Sequence, residues 1–114
     1  MAQIKSGQVV TPGGQSDSAP FELGTDTLVG VYFPSAIDAS EVALQAGETE
    51  SSFAEIRHAG QPLRIAVVPD SYVALDPIQL LGARYVRIAH LDGAGSPLTE
   101  SADRSFTTVF RSFE

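Results

Sequence analysis

The sequence contains no cysteine and no tryptophan, and it has only two histidines among its 114 residues. The lack of cysteine excludes disulfide bonds, thiolate metal sites and cysteine nucleophiles. The histidines, His58 and His90, lie far apart in the chain. Neither belongs to a metal-binding motif such as HExxH. We therefore expect no metal ion and no cofactor.

Positive charge and long apolar runs are also scarce. Seven lysines and arginines stand against 14 aspartates and glutamates, which gives a net charge of −7. An acidic surface repels nucleic-acid phosphates and anionic lipids. The longest apolar runs, Leu28–Phe33 and Ile65–Val68, are too short to span a bilayer. The first 18 residues lack the apolar core of a signal peptide. These features predict a soluble protein made in the cytoplasm, with no nucleic-acid or membrane partner.

Motifs for catalysis are missing as well. The sequence has no GxSxG elbow, no Walker loop and no GxGxxG. Glu48, Glu50 and Glu55 cluster around a predicted turn, where carboxylates are usually solvated. A triad could be assembled only by guessing which Ser, His and Asp meet in space. We therefore predict that the protein is not an enzyme.

Glycine and proline divide the chain into segments of about 8–12 residues, which is typical of a β-sandwich or barrel. No long 3.6-residue periodicity argues for a helical fold. About eight strands are expected, together with one short helical turn near residues 76–82. Asp76 would cap this turn and Pro77 would occupy its first position. Gly30, inside the apolar run, predicts either a bulge or a close approach to the backbone.

The N-terminal region differs from the rest. We predict that residues 1–20 form a strand and a flexible arm, and that residues 21–114 form the β-sandwich domain. The strand Ile4–Val10 is followed by a Gly/Ser/Pro-rich stretch, Thr11–Ala19. This region is either a loose terminus or an arm that adds a strand to a neighbouring subunit. Ile4, Val9 and Val10 are apolar enough for the second role.

Two further groups of side chains allow alternative interpretations. Tyr32, Tyr72 and Tyr85 could form an exposed platform for stacking sugars. The arginines of the last two strands either contact acidic neighbours or, as we favour, form ion pairs within the chain with Asp76, Asp103 and the glutamates. These arginines are Arg84, Arg87, Arg104 and Arg111.

One ordered set of segments extends over about residues 26 to 111. These segments are LVGVYFP at 28–34, VALQ at 42–45, Phe53, the strand 63–67, YVALDP at 72–77, LGARYVRI at 81–88 and ADR at 102–104. The order resembles small virion proteins of tailed bacteriophages. The resemblance implies a jelly-roll-like β-sandwich and no catalytic residues.

The resemblance also implies a role. It points to a capsid decoration or cement protein on the virion surface, bound to the major capsid protein. Such a protein would be a homo-oligomer, either a dimer or a trimer. Independently of the resemblance, which does not cover residues 1 to about 20, the partner-binding residues are predicted to be Ile4, Val9 and Val10 in the arm and Phe113 at the terminus. The alternative is a carbohydrate- or receptor-binding module of a phage tail or spike.

Overall fold

The computed structural model describes residues 3–76, 80 and 82–112, and it contains eleven β-strands in this part of the chain. The predicted helical turn near 76–82 falls mostly outside the described residues, and Phe113 lies outside them too. The strands are β1 (Gln3–Thr11), β2 (Phe21–Glu22), β3 (Asp26–Tyr32), β4 (Glu41–Thr49), β5 (Ser52–Glu55), β6 (Arg57–His58), β7 (Gln61–Pro62), β8 (Arg64–Ala66), β9 (Tyr72–Ala74), β10 (Tyr85–Leu91) and β11 (Arg104–Ser112).

Two antiparallel sheets form the sandwich. The four-stranded sheet has the order β1-β11-β3-β9, and the five-stranded sheet has the order β2-β10-β4-β5, with β8 also paired to β4. Strands β6 and β7 form a separate hairpin. Strands β5 and β8 both pair with β4 and can be counted as one strand position, which gives eight positions in all. The way the chain distributes these eight positions between the two sheets is that of a jelly roll. The prediction of an all-β, jelly-roll-like sandwich with about eight strands is confirmed.

The core lies between the two sheets. Side chains alternate along each strand, so every second residue points inward. Leu28, Val86, Ile88 and Phe106 are fully buried there. Apolar burial of this kind stabilises the fold by roughly 25 cal/mol for each Å² removed from water. The described chain contains no helix long and apolar enough to cross a membrane.

The N-terminal residues belong to this sandwich. Strand β1 pairs with β11 along its whole length, from Gln3 opposite Ser112 to Thr11 opposite Arg104. The stretch that follows is also fixed. The Ser18 amide donates to the carbonyl of Ile88, and the His90 amide donates to that of Ser16, both at 2.8 Å.

The prediction of a flexible arm at residues 1–20 is therefore wrong for the described residues 3–20. A Gly/Ser/Pro-rich composition predicts mobility only when the backbone lacks partners. Here β10 and β11 supply those partners.

Both expectations for Gly30 are met. The pairing of β3 with β11 shifts between Val109 and Phe110, which face Gly30 and Leu28, so the bulge falls beside Gly30. The Tyr72 ring also lies across Gly30, where any Cβ atom would overlap it. A larger residue at this position would have to displace the Tyr72 ring, which occupies the side-chain space above Gly30.

Candidate functional site

A buried polar cluster lies where β10 and β11 meet β1. The His90 Nδ1 atom is 2.9 Å from a carboxylate oxygen of Glu100, and its Nε2 atom is 2.6 Å from the Thr11 hydroxyl. All three residues have 0% relative exposure. We call these three residues, together with Arg104 and Asp38, the Glu100 cluster.

Glu100 is the centre of this cluster because it accepts four hydrogen bonds. The donors to its carboxylate, at 2.8–2.9 Å, are the amides of Asp38 and Ala39, the Arg104 Nε and the His90 ring. Since Nδ1 of the neutral ring donates to the carboxylate, Nε2 is left to accept the proton of the Thr11 hydroxyl. Every polar atom of these side chains then has a partner, as burial demands.

The surroundings shift the acidities of the cluster. Burial lowers the pKa of His90, even though Glu100 alone would raise it. For Glu100, burial opposes ionisation, but the donated hydrogen bonds prevail and lower its pKa. The Ser101 bonds lower the pKa of Asp38, and the bond to Glu100 raises that of Arg104. The cluster at neutral pH is therefore a neutral imidazole beside an ionised carboxylate that is paired with a guanidinium.

The hydroxyl, the imidazole and the carboxylate are hydrogen-bonded to one another in the same order as in a hydrolase triad. A nucleophile must nevertheless reach its substrate, and the Thr11 hydroxyl is sealed inside the sandwich. The arrangement instead has a structural role. It joins β1, the loop at 38–39, β10 and β11 at one end of the fold. Sequence reasoning missed it because Thr11 and His90 are 79 positions apart and no local motif links them.

Open space is found at the other end of β10. Three shallow grooves there have volumes of about 260, 150 and 290 Å³. Gly24, Gly82 and Gly47 are among the residues that line them. None of the three grooves includes a member of the Glu100 cluster. Within the described ranges, no three His, Asp or Glu side chains are placed to hold a metal ion.

The two sheets differ in the charge of their strands. Asp26 is the only carboxylate in the four-stranded sheet, and it lies at the rim, 3.5 Å from Lys5. The five-stranded sheet contains four glutamates and carries ion pairs such as Arg64 with Glu41 and Glu55. In a protein of net charge −7, a sheet whose strands contain a single carboxylate is a distinct feature.

The outer face of the four-stranded sheet follows from the alternation of its strands. Val9, Val31, Phe106 and Thr108 are buried, so their neighbours along each strand point outward. These outward residues are Ile4, Ser6, Gln8, Val10, Tyr32, Tyr72, Ala74, Ser105, Thr107, Val109 and Arg111. Arg111 is the only one with a charge, so this face is almost neutral and carries short polar and apolar side chains.

Strand β1 forms one edge of that sheet. The carbonyl of Val10 accepts a bond from the amide of Ala19, so it points away from β11. Backbone groups alternate in direction along an antiparallel strand, so those of Ile4, Ser6 and Gln8 point away as well. None of these three residues makes a backbone bond at its outer side within the described part of the chain. We call these outward main-chain groups the β1 edge.

The predicted partner-binding residues differ in how exposed they are. Ile4 is 72% exposed on the outer face, where a partner can reach it. Val9 is only 6% exposed and packs inward opposite Phe106, so its assignment as a partner contact is wrong. Val10 is half-buried on the outer face. Phe113 lies outside the described residues.

The tyrosines are brought together only in part. Tyr32 and Tyr72 face each other across β3 and β9, with ring centroids 4.6 Å apart and planes tilted by 46°. They are 49% and 44% exposed. Tyr85 lies in the other sheet beside Arg84. The predicted platform of three tyrosines is therefore reduced to a pair.

Three of these arginines, Arg84, Arg87 and Arg104, pair within the chain, as favoured above. Arg104 bonds Glu100 and Asp38, while Arg87 lies 3.7 Å from a carboxylate oxygen of Asp17. Arg84 lies 3.8 Å from a carboxylate oxygen of Glu22. The predicted acidic partners included Asp76, Asp103 and the glutamates, so two of the aspartates that pair here, Asp17 and Asp38, were not foreseen.

The fold has a counterpart among solved structures. The SPBc2 prophage-derived protein YomS is similar with a TM-score of 0.64 and 12% sequence identity, over 98% of this chain and 96% of that chain. At this identity the likeness shows the fold alone. No protein-family model matches the sequence, and no curated protein matches it either.

Proposed function

We propose that the protein is a structural protein of a bacteriophage virion. In its specific form, the proposal is a capsid cement or decoration protein that binds the assembled head and bridges its capsid subunits. The contacts would be made by the outer face of the four-stranded sheet. The single observation that carries the proposal is that this face is nearly free of charge in an otherwise acidic protein.

The composition of the outer face is suited to contact with a partner. The depletion of charged residues is a property of interface centres, and Tyr32 and Tyr72 are of a residue type enriched there. The acidic groups at the other faces oppose non-specific association. A protein that binds only the assembled shell stabilises that shell by mass action. The comparison with YomS supports the phage context, because that protein is described as prophage-derived and shares the fold over nearly the full chain.

A non-catalytic role agrees with the geometry of the Glu100 cluster. Its hydroxyl is enclosed, and its carboxylate has four donors. Such a network stabilises a sandwich end and leaves no acceptor free for a substrate.

The test is co-sedimentation of the purified protein with empty heads, and separately with tails, of the phage that encodes it. Thr107→Glu places a carboxylate at the centre of the outer face, opposite Tyr32. We expect wild type to sediment with heads and Thr107→Glu to bind at least tenfold more weakly, which corresponds to about 1.4 kcal/mol. Gln61→Glu, in the exposed β6–β7 hairpin, adds the same charge elsewhere and serves as the matched control.

The outcomes separate the possibilities. Equal loss of binding in both variants would assign the effect to net charge and not to this face. Binding of wild type to tails but not to heads would overturn the cement role and retain a virion role. Binding to neither would overturn the proposal.

One observation favours a second function, a carbohydrate- or receptor-binding module. Tyr32 and Tyr72 form an exposed aromatic pair, and aromatic rings present apolar area with a polar tip. A broad glycan array tests this function directly. Binding that is lost in Tyr32→Ala but kept in Tyr85→Ala would support it, and an array without hits would reject it.

A further inference from the structure

We propose that two copies of this chain associate by antiparallel pairing of their β1 edges, which joins two four-stranded sheets into one eight-stranded sheet. The proposal goes beyond head binding, because it concerns the free protein in solution. A failure of the head-binding test would leave it standing, and its own test needs no capsid.

Strand β1 has unpaired main-chain groups along its outer edge. An exposed edge strand presents amide and carbonyl groups that pair readily with another strand. Strand β1 has nine residues, longer than most edge strands, and shows no proline or bulge within it. The bond from Ala19 to Val10 closes the edge on its C-terminal side and leaves Ile4, Ser6 and Gln8 open.

Two β1 edges match each other in one antiparallel register. A twofold axis at Ser6 places Ser6 opposite Ser6, and Ile4 opposite Gln8 of the other copy. All three open residues then face a residue that is also open. Each such pair exchanges two main-chain hydrogen bonds, so the edge gains about six. An axis one residue away would leave some of these groups without partners.

The side chains of β1 are compatible with this register. In this register no charged residue faces a like charge across the new pair. Lys5 lies opposite Gly7 of the other copy, and it is engaged with Asp26 in its own. Two chains of net charge −7 repel each other in most orientations. The β1 edge is favoured because the four-stranded sheet has only one carboxylate, at its rim.

The contact is small, since five residues of each strand face the other copy. Specific stable interfaces bury about 1,600 Å² in total, and a strand edge alone buries less. We therefore expect a weak dimer that forms as concentration rises. Binding of many copies to one surface would raise the local concentration and favour the pair.

The test is sedimentation equilibrium of the full chain from roughly 10 μM to 1 mM, a range in which mass action reveals weak association. We expect the apparent mass to rise from 12.0 kDa toward twice that value. Like charges directly opposite each other destabilise a strand pair. Ser6→Glu and Ser6→Lys should therefore each remain at the monomer mass.

An equimolar mixture of these two variants provides the decisive measurement. Opposite charges then face each other at the axis, and we expect the dimer mass to return. Ala74→Glu and Ala74→Lys, on the opposite edge strand β9, are the matched controls and should dimerise like wild type. Amide exchange at Ser6 should also slow at least threefold at the highest concentration, whereas exchange at Ala74 should not.

Several results would overturn the proposal. These are a wild-type mass that stays at the monomer value throughout, a mass that rises to a trimer, and dimers that persist in both Ser6 variants. A mixture of folded Ser6 variants that stays monomeric would also overturn it, with circular dichroism as the check on folding.

Discussion

The Glu100 cluster and the β1 edge lie in the same sandwich, but they differ in whether their polar groups have hydrogen-bond partners. The cluster contains the residue types associated with catalysis, yet every donor and acceptor on Glu100 and His90 is used internally. The edge has plain residues such as Ser6 and Gln8, yet its backbone groups have no partner in the described chain.

This difference shows which groups of the protein are able to form new hydrogen bonds. A buried group that is fully bonded gains nothing from a new ligand, because any new bond must replace an existing one. An open strand edge gains a bond for each group that pairs. In this protein the histidine and carboxylate of the Glu100 cluster are closed to further bonds, whereas the β1 edge presents main-chain groups with which another strand could pair.

The largest expected effect comes from breaking the closed region. Glu100→Gln removes the negative charge that holds Arg104 and His90, and its amide cannot accept all four donors. Removing one partner of a buried ion pair costs about 3–5 kcal/mol. Urea unfolding should show a loss in free energy of unfolding of this size.

The matched control is Glu48→Gln, the same change at an exposed position of β4. A surface change of this kind should stay within about 0.5 kcal/mol of wild type. If Glu100→Gln were equally mild, the view of the cluster as a structural joint would be wrong.

An intermediate effect should distinguish two residues of β1 that the sequence presents as equivalent. Val9→Ala empties space beside Phe106, and we expect it to cost about 1–3 kcal/mol. Ile4→Ala acts on a side chain that is 72% exposed, and it should change stability by less than about 0.5 kcal/mol. Thermal unfolding of both variants at low protein concentration measures the contrast, and similar losses would mean that β1 is packed differently.

A smaller effect should appear in mild acid. The pKa of His90 is lowered in the fold, so the unfolded chain binds the proton more tightly. The stability contribution of neutral His90 is thus complete above its unfolded pKa of about 6.5 and is lost as pH falls below it. The lowered pKa values of Glu100 and Asp38 add a second loss below about pH 4.5.

Melting temperatures between pH 8 and pH 5.5 isolate the histidine. We expect the melting temperature to decrease as the pH is lowered in wild type. The control variant His58→Gln, a change at an exposed hairpin residue, should behave in the same way. In His90→Gln the midpoint should be lower throughout but much less dependent on pH. A pH dependence that survives in His90→Gln would assign the effect to other groups.

Much of the fold could be predicted from local patterns. The alternation in β4 and β10, the spacing of glycine and proline, and the bulge at Gly30 all depend on neighbouring residues and backbone stereochemistry. The strand Ile4–Val10 was also predicted within one residue of β1. The strand with which it pairs was not predicted, because the residue pattern of a strand is the same whether it pairs with its own chain or with another.

The Glu100 cluster could not be predicted for a related reason. Thr11, Asp38, His90 and Glu100 meet only after two sheets have formed, and no spacing in the chain records that meeting. The sequence by itself determined an acidic, disulfide-free, all-β chain, because composition and period-two patterning are local properties. Only the tertiary structure decided which polar groups are closed off and which edge stays open, because pairing between distant strands sets where each backbone donor finds its acceptor.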